Sequence, residues 1–274
     1  MNLTEPFSIR RCAKVARAEF LKIWASKIPL VILVALPVGT WLFILELYHV
    51  ERAGERLAFA NAVQALPVVF KTMWGTLLFQ AAMMTFAAFW TTVDSQYGMV
   101  RLGCCQPVTR IEYLLGKWSG IGAHVVLFSL ALVLSELMWT GLYSGFRRIR
   151  AADVVSVARF ALDLAVLILA ISVVAMAAAS FRRTVGSGIV TALMAFLLLA
   201  FMTMLPFDLL SPRFILLRYF FYPLQDLPAP FSNAGDSPFI RPLFLTSFYS
   251  VALVTSVLFA VPAALYFRKR DIVE

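Results

Sequence analysis

Residues 157–180 read VARFALDLAVLILAISVVAMAAAS, and Arg159 and Asp163 are the only charged side chains in this run. One helical crossing of the ~30 Å hydrocarbon layer of a bilayer takes about 20 predominantly apolar residues. The run is therefore long enough and apolar enough to span a membrane. It predicts an all-α integral membrane protein, and the rest of the chain has the same character.

The composition of the whole chain agrees with this interpretation. Of its 274 residues, 61% are hydrophobic and only 14% are charged, with a mean hydropathy of +0.85. Globular domains are about 45–50% apolar and about 25% charged, so the apolar excess has to face lipid. The net charge is +9. Its basic residues cluster at the ends of apolar runs and form no aromatic-interleaved stripe, so we expect no nucleic-acid partner.

Six apolar runs of span length divide the chain into a single transmembrane domain, 1–274. We expect spans at about 29–47, 67–93, 118–143, 157–180, 188–205 and 243–266. The longest remaining segment, 206–242, holds seven prolines around RFILLRYFFYPL, which is too short to span. We interpret it as an extracytoplasmic re-entrant or interfacial segment.

A basic amphipathic helix is predicted at about 10–27, immediately before the first span. Its apolar positions are Val15, Ala18, Leu21 and Ile23, and its basic positions are Arg11, Lys14, Arg17 and Lys22. Such a helix is suited to lying in the membrane interface, although a solvated N-terminal helix is the alternative.

The basic residues also predict an orientation. With the N-terminus inside, 14 Lys and Arg residues fall on the cytoplasmic side and 10 outside. Positive charge favours the cytoplasmic side. We therefore expect a multi-pass protein of the bacterial cytoplasmic membrane, with both termini and the loops at 94–117 and 181–187 cytoplasmic.

Motifs for chemistry are missing from the sequence. There is no phosphate-binding G-x-x-x-x-G-K-[ST] loop and no H-E-x-x-H zinc motif. Three cysteines and two histidines are too few for a structural zinc site. We expect no catalytic residues, no cofactor and no metal in this chain.

The most informative stretch is the loop after the second predicted span, 94–117, which reads DSQYGMVRLGCCQPVTRIEYLLGK. It predicts a short amphipathic helix that Pro107 ends. Thr109 and Glu112 have the spacing of a capping box, which would begin the cytoplasmic extension of the third span. From these residues alone, the loop could equally be a capped connector.

This loop resembles the cytoplasmic loop of type-2 ATP-binding-cassette (ABC) transporter permeases. The family pattern is matched by Gly98, Arg101, Leu102, Pro107, Val108, Arg110, Gly116 and Lys117, with Thr109 a near match. Gln96 and Met99 stand where the family usually has Glu and Thr. Residues 18–22 and 267–272 resemble the family's elbow helix and closing motif.

The resemblance implies a permease subunit, most readily of an exporter, that pairs with a second copy or a paralogous permease. Two copies of a separate ATPase subunit would supply the energy. In the family this loop is the coupling helix that enters a cleft of the ATPase. The implied coupling residues are Gln96, Gly98, Met99, Arg101, Leu102, Pro107 and Arg110. The alternative function is a membrane scaffold or assembly factor that does not transport.

Polar residues inside spans are functional candidates because their burial in lipid is costly. They are Gln80, His124, Glu136 and Asp163. Glu136 and Asp163 lie near outer ends of spans, so snorkelling or pairing with Arg147, Arg148 or Arg159 is the alternative for both. For His124 we expect a helix–helix hydrogen bond.

Overall fold

Helices account for nearly all of the chain that this computed structural model describes, which is residues 7–52, 77–97, 108–144, 151–204 and 240–269. The helices are α1 Ile9–Ala25, α2 Ile28–Arg52, α3 Leu77–Gln96, α4 Arg110–Ser144, α5 Ala151–Ser180, α6 Val185–Met204 and α7 Ile240–Lys269. Those ranges contain no strand, so the all-α prediction is confirmed for them.

The helices overlap the predicted runs, and each extends beyond its run at one end or both. The clearest case is α4, which begins at Arg110 rather than at about 118. Its start is the predicted capping box, which is confirmed. The backbone N of Glu112 donates to Thr109 Oγ1 at 3.2 Å, and the backbone N of Thr109 donates to Glu112 Oε2 at 2.8 Å. Two otherwise unpaired N–H groups are thereby satisfied at the start of the helix.

A sharp bend separates α1 from α2. Their axes differ by 65°, and the chain turns at Lys27, whose φ of 64° lies in the left-handed region. The backbone N of Lys27 donates to the carbonyl oxygen of Trp24 at 3.2 Å, which closes the last turn of α1. A left-handed residue directly after a helix is a common helix end. The predicted N-terminal helix therefore ends at Ala25, and not at 27.

Among the described residues, two stretches of helix are long and apolar enough to cross a membrane, Arg110–Trp139 and Val157–Ser180. The bent pair of α1 and the first part of α2 makes a third if it counts as one span. Val185–Leu197 and Ala252–Arg268 are shorter apolar helices. Much of the predicted segment at 206–242 lies outside the described residues, and its last three residues belong to α7.

Helix α5 lies at the centre of the bundle and packs against α3, α4, α6 and α7. Helix α4 also packs against α1 and α2. The outer face of α4 exposes an apolar side chain at every fourth position: Leu130, Leu134, Met138 and Leu142. A stripe of this spacing lies along one side of a helix. The bundle therefore has an apolar interior and an apolar exterior, as expected for helices in lipid.

The helices alternate in direction, so several helix starts and helix ends lie at the same end of the bundle. The backbone N of Val185, which starts α6, donates to the side chain of Gln96 at the end of α3 at 2.8 Å. Arg110, which starts α4, donates to the carbonyl oxygen of Arg268 near the end of α7 at 3.1 Å. We call this side the shared end. It holds the starts of α1 and α4, the α5–α6 connection, and the ends of α3 and α7.

Candidate functional site

A largely buried group of charged side chains at the shared end joins three helices. Asp94, near the end of α3, accepts hydrogen bonds from Lys117 Nζ at 2.7 Å, Lys22 Nζ at 2.9 Å and the Tyr113 hydroxyl at 3.0 Å. Lys22 also donates to Glu19 Oε1 at 3.0 Å. We call these five residues the Asp94 cluster. They connect α1 and α3 to α4 through side chains.

The Asp94 cluster is balanced in charge, with two ammonium groups and two carboxylates. The Lys117 side chain is only 3% exposed, so its charge depends on its partners. Burial acts to raise the pKa of the Asp94 carboxyl. The charges and hydrogen bonds of Lys117 and Lys22 outweigh burial and hold that pKa below its usual value. Asp94 is therefore ionised at neutral pH, and its ionic contacts with Lys22 and Lys117 hold α1, α3 and α4 together.

A second ionic contact attaches the start of α1 to the start of α4. Arg11 donates to both oxygens of the buried Glu112 carboxylate at 3.1 Å each. The same carboxylate accepts hydrogen bonds from the backbone N of Ser8 and of Thr109. Glu112 therefore begins α4 and holds α1 with one side chain. Since Asp94 precedes the α3–α4 connection and Glu112 follows it, both flanks of that connection are tied to α1.

Glycines on α4 let the backbone of α1 approach closely. A Cβ atom at Gly116 would lie 2.8 Å from the carbonyl oxygen of Cys12, and one at Gly120 would lie 2.8 Å from that of Ala16. Two small residues four positions apart are a recurrent surface for close packing of membrane helices. Helix α1 is therefore packed closely against α4 on this surface.

The inward face of α1 differs from the predicted division of its residues. Arg11 and Lys22, expected among its basic positions in the interface, turn toward Glu112 and Asp94. Ile23 is buried in the core, while Leu21 from the same predicted apolar face is 54% exposed. The ionic partners on α3 and α4 fix this rotation of the helix.

Two of the residues that the resemblance assigns to ATPase coupling lie in the described part, and each has a contact inside the chain. Gln96 accepts the hydrogen bond that begins α6, and Arg110 donates to the end of α7. The contact of these residues with an ATPase stays a prediction. The other predicted coupling residues lie outside the described residues: Gly98, Met99, Arg101, Leu102 and Pro107.

His124 is fully buried in α4, 14 residues along the helix from Arg110. Its Nδ1 lies 3.0 Å from the carbonyl oxygen of Gly120, which belongs to the same helix. Its ring stacks on Phe20 of α1 with the ring centroids 4.2 Å apart. The predicted helix–helix hydrogen bond is therefore wrong among the described residues. Ring stacking makes the contact between α4 and α1, because α1 presents an aromatic side chain there.

The remaining intramembrane candidates have different surroundings. The Asp163 carboxylate accepts a hydrogen bond from the Tyr249 hydroxyl, which links α5 to α7. Gln80 is buried in α3. Glu136 is fully buried in α4, and neither of its carboxylate oxygens has a hydrogen-bond partner within the described ranges. Glu136 is thus the candidate whose burial the described part of the chain leaves uncompensated.

Comparison with protein-family models gives no match, and comparison with curated proteins gives none either. Nor do three or more His, Cys, Asp and Glu residues group as metal ligands in the part of the chain described. The contacts described above make the candidate site an ionic and packing site in which charges hold helices together.

Sequence reasoning missed the Asp94 cluster. The available signal was that Asp94 and Lys117 each stand at the edge of a predicted span, on either side of one loop. Opposite charges at neighbouring span ends can pair if the two helices are antiparallel neighbours. The contribution of Lys22 from α1 had no signal in the sequence.

Proposed function

We propose that this chain is the membrane-spanning permease subunit of an ATP-driven ABC transporter, most consistent with an exporter. It crosses the membrane six times, with the shared end and both termini cytoplasmic. A separate ATPase subunit, present in two copies, binds the shared end and supplies the energy. The observation that carries the proposal is that both flanks of the α3–α4 connection are tied to α1 through Asp94 and Glu112.

A coupling element has to move the membrane helices when its partner moves it. The α3–α4 connection meets this requirement, because α4 runs without interruption for 35 residues from its end. At 1.5 Å per residue such a helix is about 52 Å long, which is more than the thickness of the hydrocarbon layer. A force on the connection would therefore be transmitted along α4 and, through the ionic ties, to α1 and α3.

The alternating helix directions support six spans. Helices α4 and α6 begin at the shared end, α2 runs in the same direction as α4, and α3, α5 and α7 end at the shared end. An even number of crossings brings both ends of the chain to the same side. Exposed basic residues at the shared end, among them Lys14, Arg17 and Arg182, favour the cytoplasmic side for it.

In the proposed mechanism, ATP binding draws the two ATPase copies together, and each moves the α3–α4 connection of its own permease. The permease pair then changes from an inward-open to an outward-open arrangement. A second copy of this chain or a paralogous permease completes the substrate path. The sequence resemblance supports this assignment together with the geometry of the shared end.

Affinity purification of the tagged chain from its native membranes tests the proposal. We expect a P-loop ATPase without membrane spans to co-purify, and Arg101→Glu in the α3–α4 connection to release it. Arg182→Glu is the matched control, since it reverses an exposed charge at the same end in the α5–α6 connection, and it should retain the ATPase.

Two results would overturn the proposal. One is that no such ATPase accompanies the unaltered chain under conditions that keep membrane complexes intact. The other is that the chain, freed of all partners, hydrolyses ATP by itself. A stable complex with other membrane proteins and no ATPase would favour the scaffold function instead.

A further inference from the structure

The outward face of α1 is a single stripe with an ordered composition. Arg10, Lys14, Arg17, Leu21 and Trp24 are all exposed. Their spacing of four, three, four and three residues puts them on one side of the helix. The first three are basic, and the last two are apolar. We call these five residues the outer stripe.

The outer stripe carries positive charge without compensation from its own helix. Glu19 is the only acidic residue of α1, and it is buried on the opposite side with Lys22. Arg11 is likewise turned inward to Glu112. The ionic contacts that fix the rotation of α1 thus leave three cations facing outward.

The apolar end of the outer stripe continues onto α2. Beyond the bend at Lys27, the exposed side chains include Leu30, Val31 and Val34. From Arg10 to Val34 the exposed side chains therefore change from mainly basic, through Trp24 and one further cation at the bend, Lys27, to aliphatic. A protein surface that passes from the lipid headgroups through the interface into the hydrocarbon is expected to change its composition in this order.

We propose that the outer stripe of α1 binds anionic phospholipid headgroups, with Arg10, Lys14 and Arg17 on the phosphates and Trp24 at the edge of the hydrocarbon. The inference requires that the chain lies in a membrane but does not depend on an ATPase. An acidic protein surface would also attract the three cations. Lipid is favoured because exposed aliphatic side chains of α2 follow the stripe directly beyond the bend at Lys27.

The test uses the full chain in nanodiscs of phosphatidylcholine alone or of an equal mixture of phosphatidylcholine and phosphatidylglycerol. The measurements are the melting temperature in each and the number of phosphatidylglycerol molecules retained in native mass spectrometry. The test variant is Arg10→Gln/Lys14→Gln/Arg17→Gln. The matched control, Arg182→Gln/Arg183→Gln/Arg268→Gln, removes three exposed basic residues at the same end outside α1.

We expect phosphatidylglycerol to raise the melting temperature of the unaltered chain and of the control. In the test variant this gain should be lost, and the preference for the anionic lipid should fall by roughly fivefold per basic residue removed. A charge-conserving variant, Arg10→Lys/Arg17→Lys, should keep the gain, which separates loss of charge from loss of fold.

The proposal is overturned if the test variant keeps the preference for phosphatidylglycerol, or if the control loses it to the same extent. It is also overturned if the test variant keeps its lipid preference and instead loses an acidic protein partner. That result would assign the outer stripe to protein binding.

Discussion

Two buried carboxylates, Asp94 on α3 and Glu136 on α4, have opposite surroundings. Asp94 accepts hydrogen bonds from Lys22, Tyr113 and Lys117. Glu136 has no partner on either oxygen within the described part of the chain. Both lie in helices that pack together, so the difference reflects their position along the bundle and not their depth in it.

The position of each carboxylate suggests its role. Asp94 lies at the shared end, where the charges hold α1, α3 and α4 together. Glu136 lies 26 residues along α4 from Arg110, which corresponds to about 39 Å from that end at 1.5 Å per residue. A partnered carboxylate stabilises the fold. A buried carboxylate without a partner costs stability, and such a residue in a membrane helix is a functional candidate.

The largest expected effect comes from removing the partnered carboxylate. Asp94→Ala leaves the ammonium group of Lys117 buried without its closest partner, and breaking a buried pair from one side costs about 3–5 kcal/mol. Thermal unfolding in detergent should show a large fall in melting temperature. The double variant Asp94→Leu/Lys117→Met removes both charges and should be the more stable of the two. Equal melting of Asp94→Ala and the unaltered chain would contradict the structural role of the cluster.

Removing the unpartnered carboxylate should raise the stability of the chain, whereas removing Asp94 should lower it. Glu136→Leu replaces a buried polar group by an apolar one of similar size, and should stabilise the chain by about 1–3 kcal/mol. The same unfolding measurement applies. A fall in stability as large as that of Asp94→Ala would mean that Glu136 has a partner, and the comparison would fail.

The close approach of α1 gives a prediction that tests packing without charge. Gly116→Ala introduces a Cβ that would lie 2.6 Å from the Cβ of Val15, so α1 has to shift. Overpacking of this kind costs about 1–3 kcal/mol. Gly186→Ala is the control, since a Cβ there meets nothing within 4 Å. If both variants unfold alike, α1 is not held against α4 as described.

The smallest expected effect concerns the start of α4. Thr109→Ala removes the hydroxyl that accepts from the backbone N of Glu112, and loss of an N-cap costs about 1 kcal/mol. Thr109→Ser keeps the hydroxyl and should unfold like the unaltered chain. A loss of stability in the serine variant that matches the alanine variant would attribute the effect to the methyl group and not to the cap.

The parts of the fold that depend on local sequence were predictable. The run that ends at Ser180 and the capping box of Thr109 and Glu112 are fixed by apolar length and by a four-residue motif. The rotation of α1 was not predictable. In the sequence, Arg11 and Lys22 have the pattern of interfacial cations. They turn inward because they pair with Glu112 and Asp94, which lie on other helices.

Some residues of the candidate site were likewise predictable from the local sequence, and others were not. The sequence identified Glu136 and Asp163 because a charge inside an apolar run is visible by itself. It did not identify Asp94 as the centre of a cluster, because residues on three helices contribute to it. Their sequence separations reach 98 residues, from Glu19 to Lys117, and only tertiary structure brings them together.

The most direct test of the proposed function asks which end of the bundle contacts the ATPase. A photo-crosslinking residue at Tyr97, which is 71% exposed at the shared end, is compared with one at Leu142, which is 62% exposed at the opposite end of α4. We predict a crosslink from position 97 to a P-loop ATPase in native membranes and none from position 142. A crosslink to the ATPase from position 142 and none from position 97 would contradict the account.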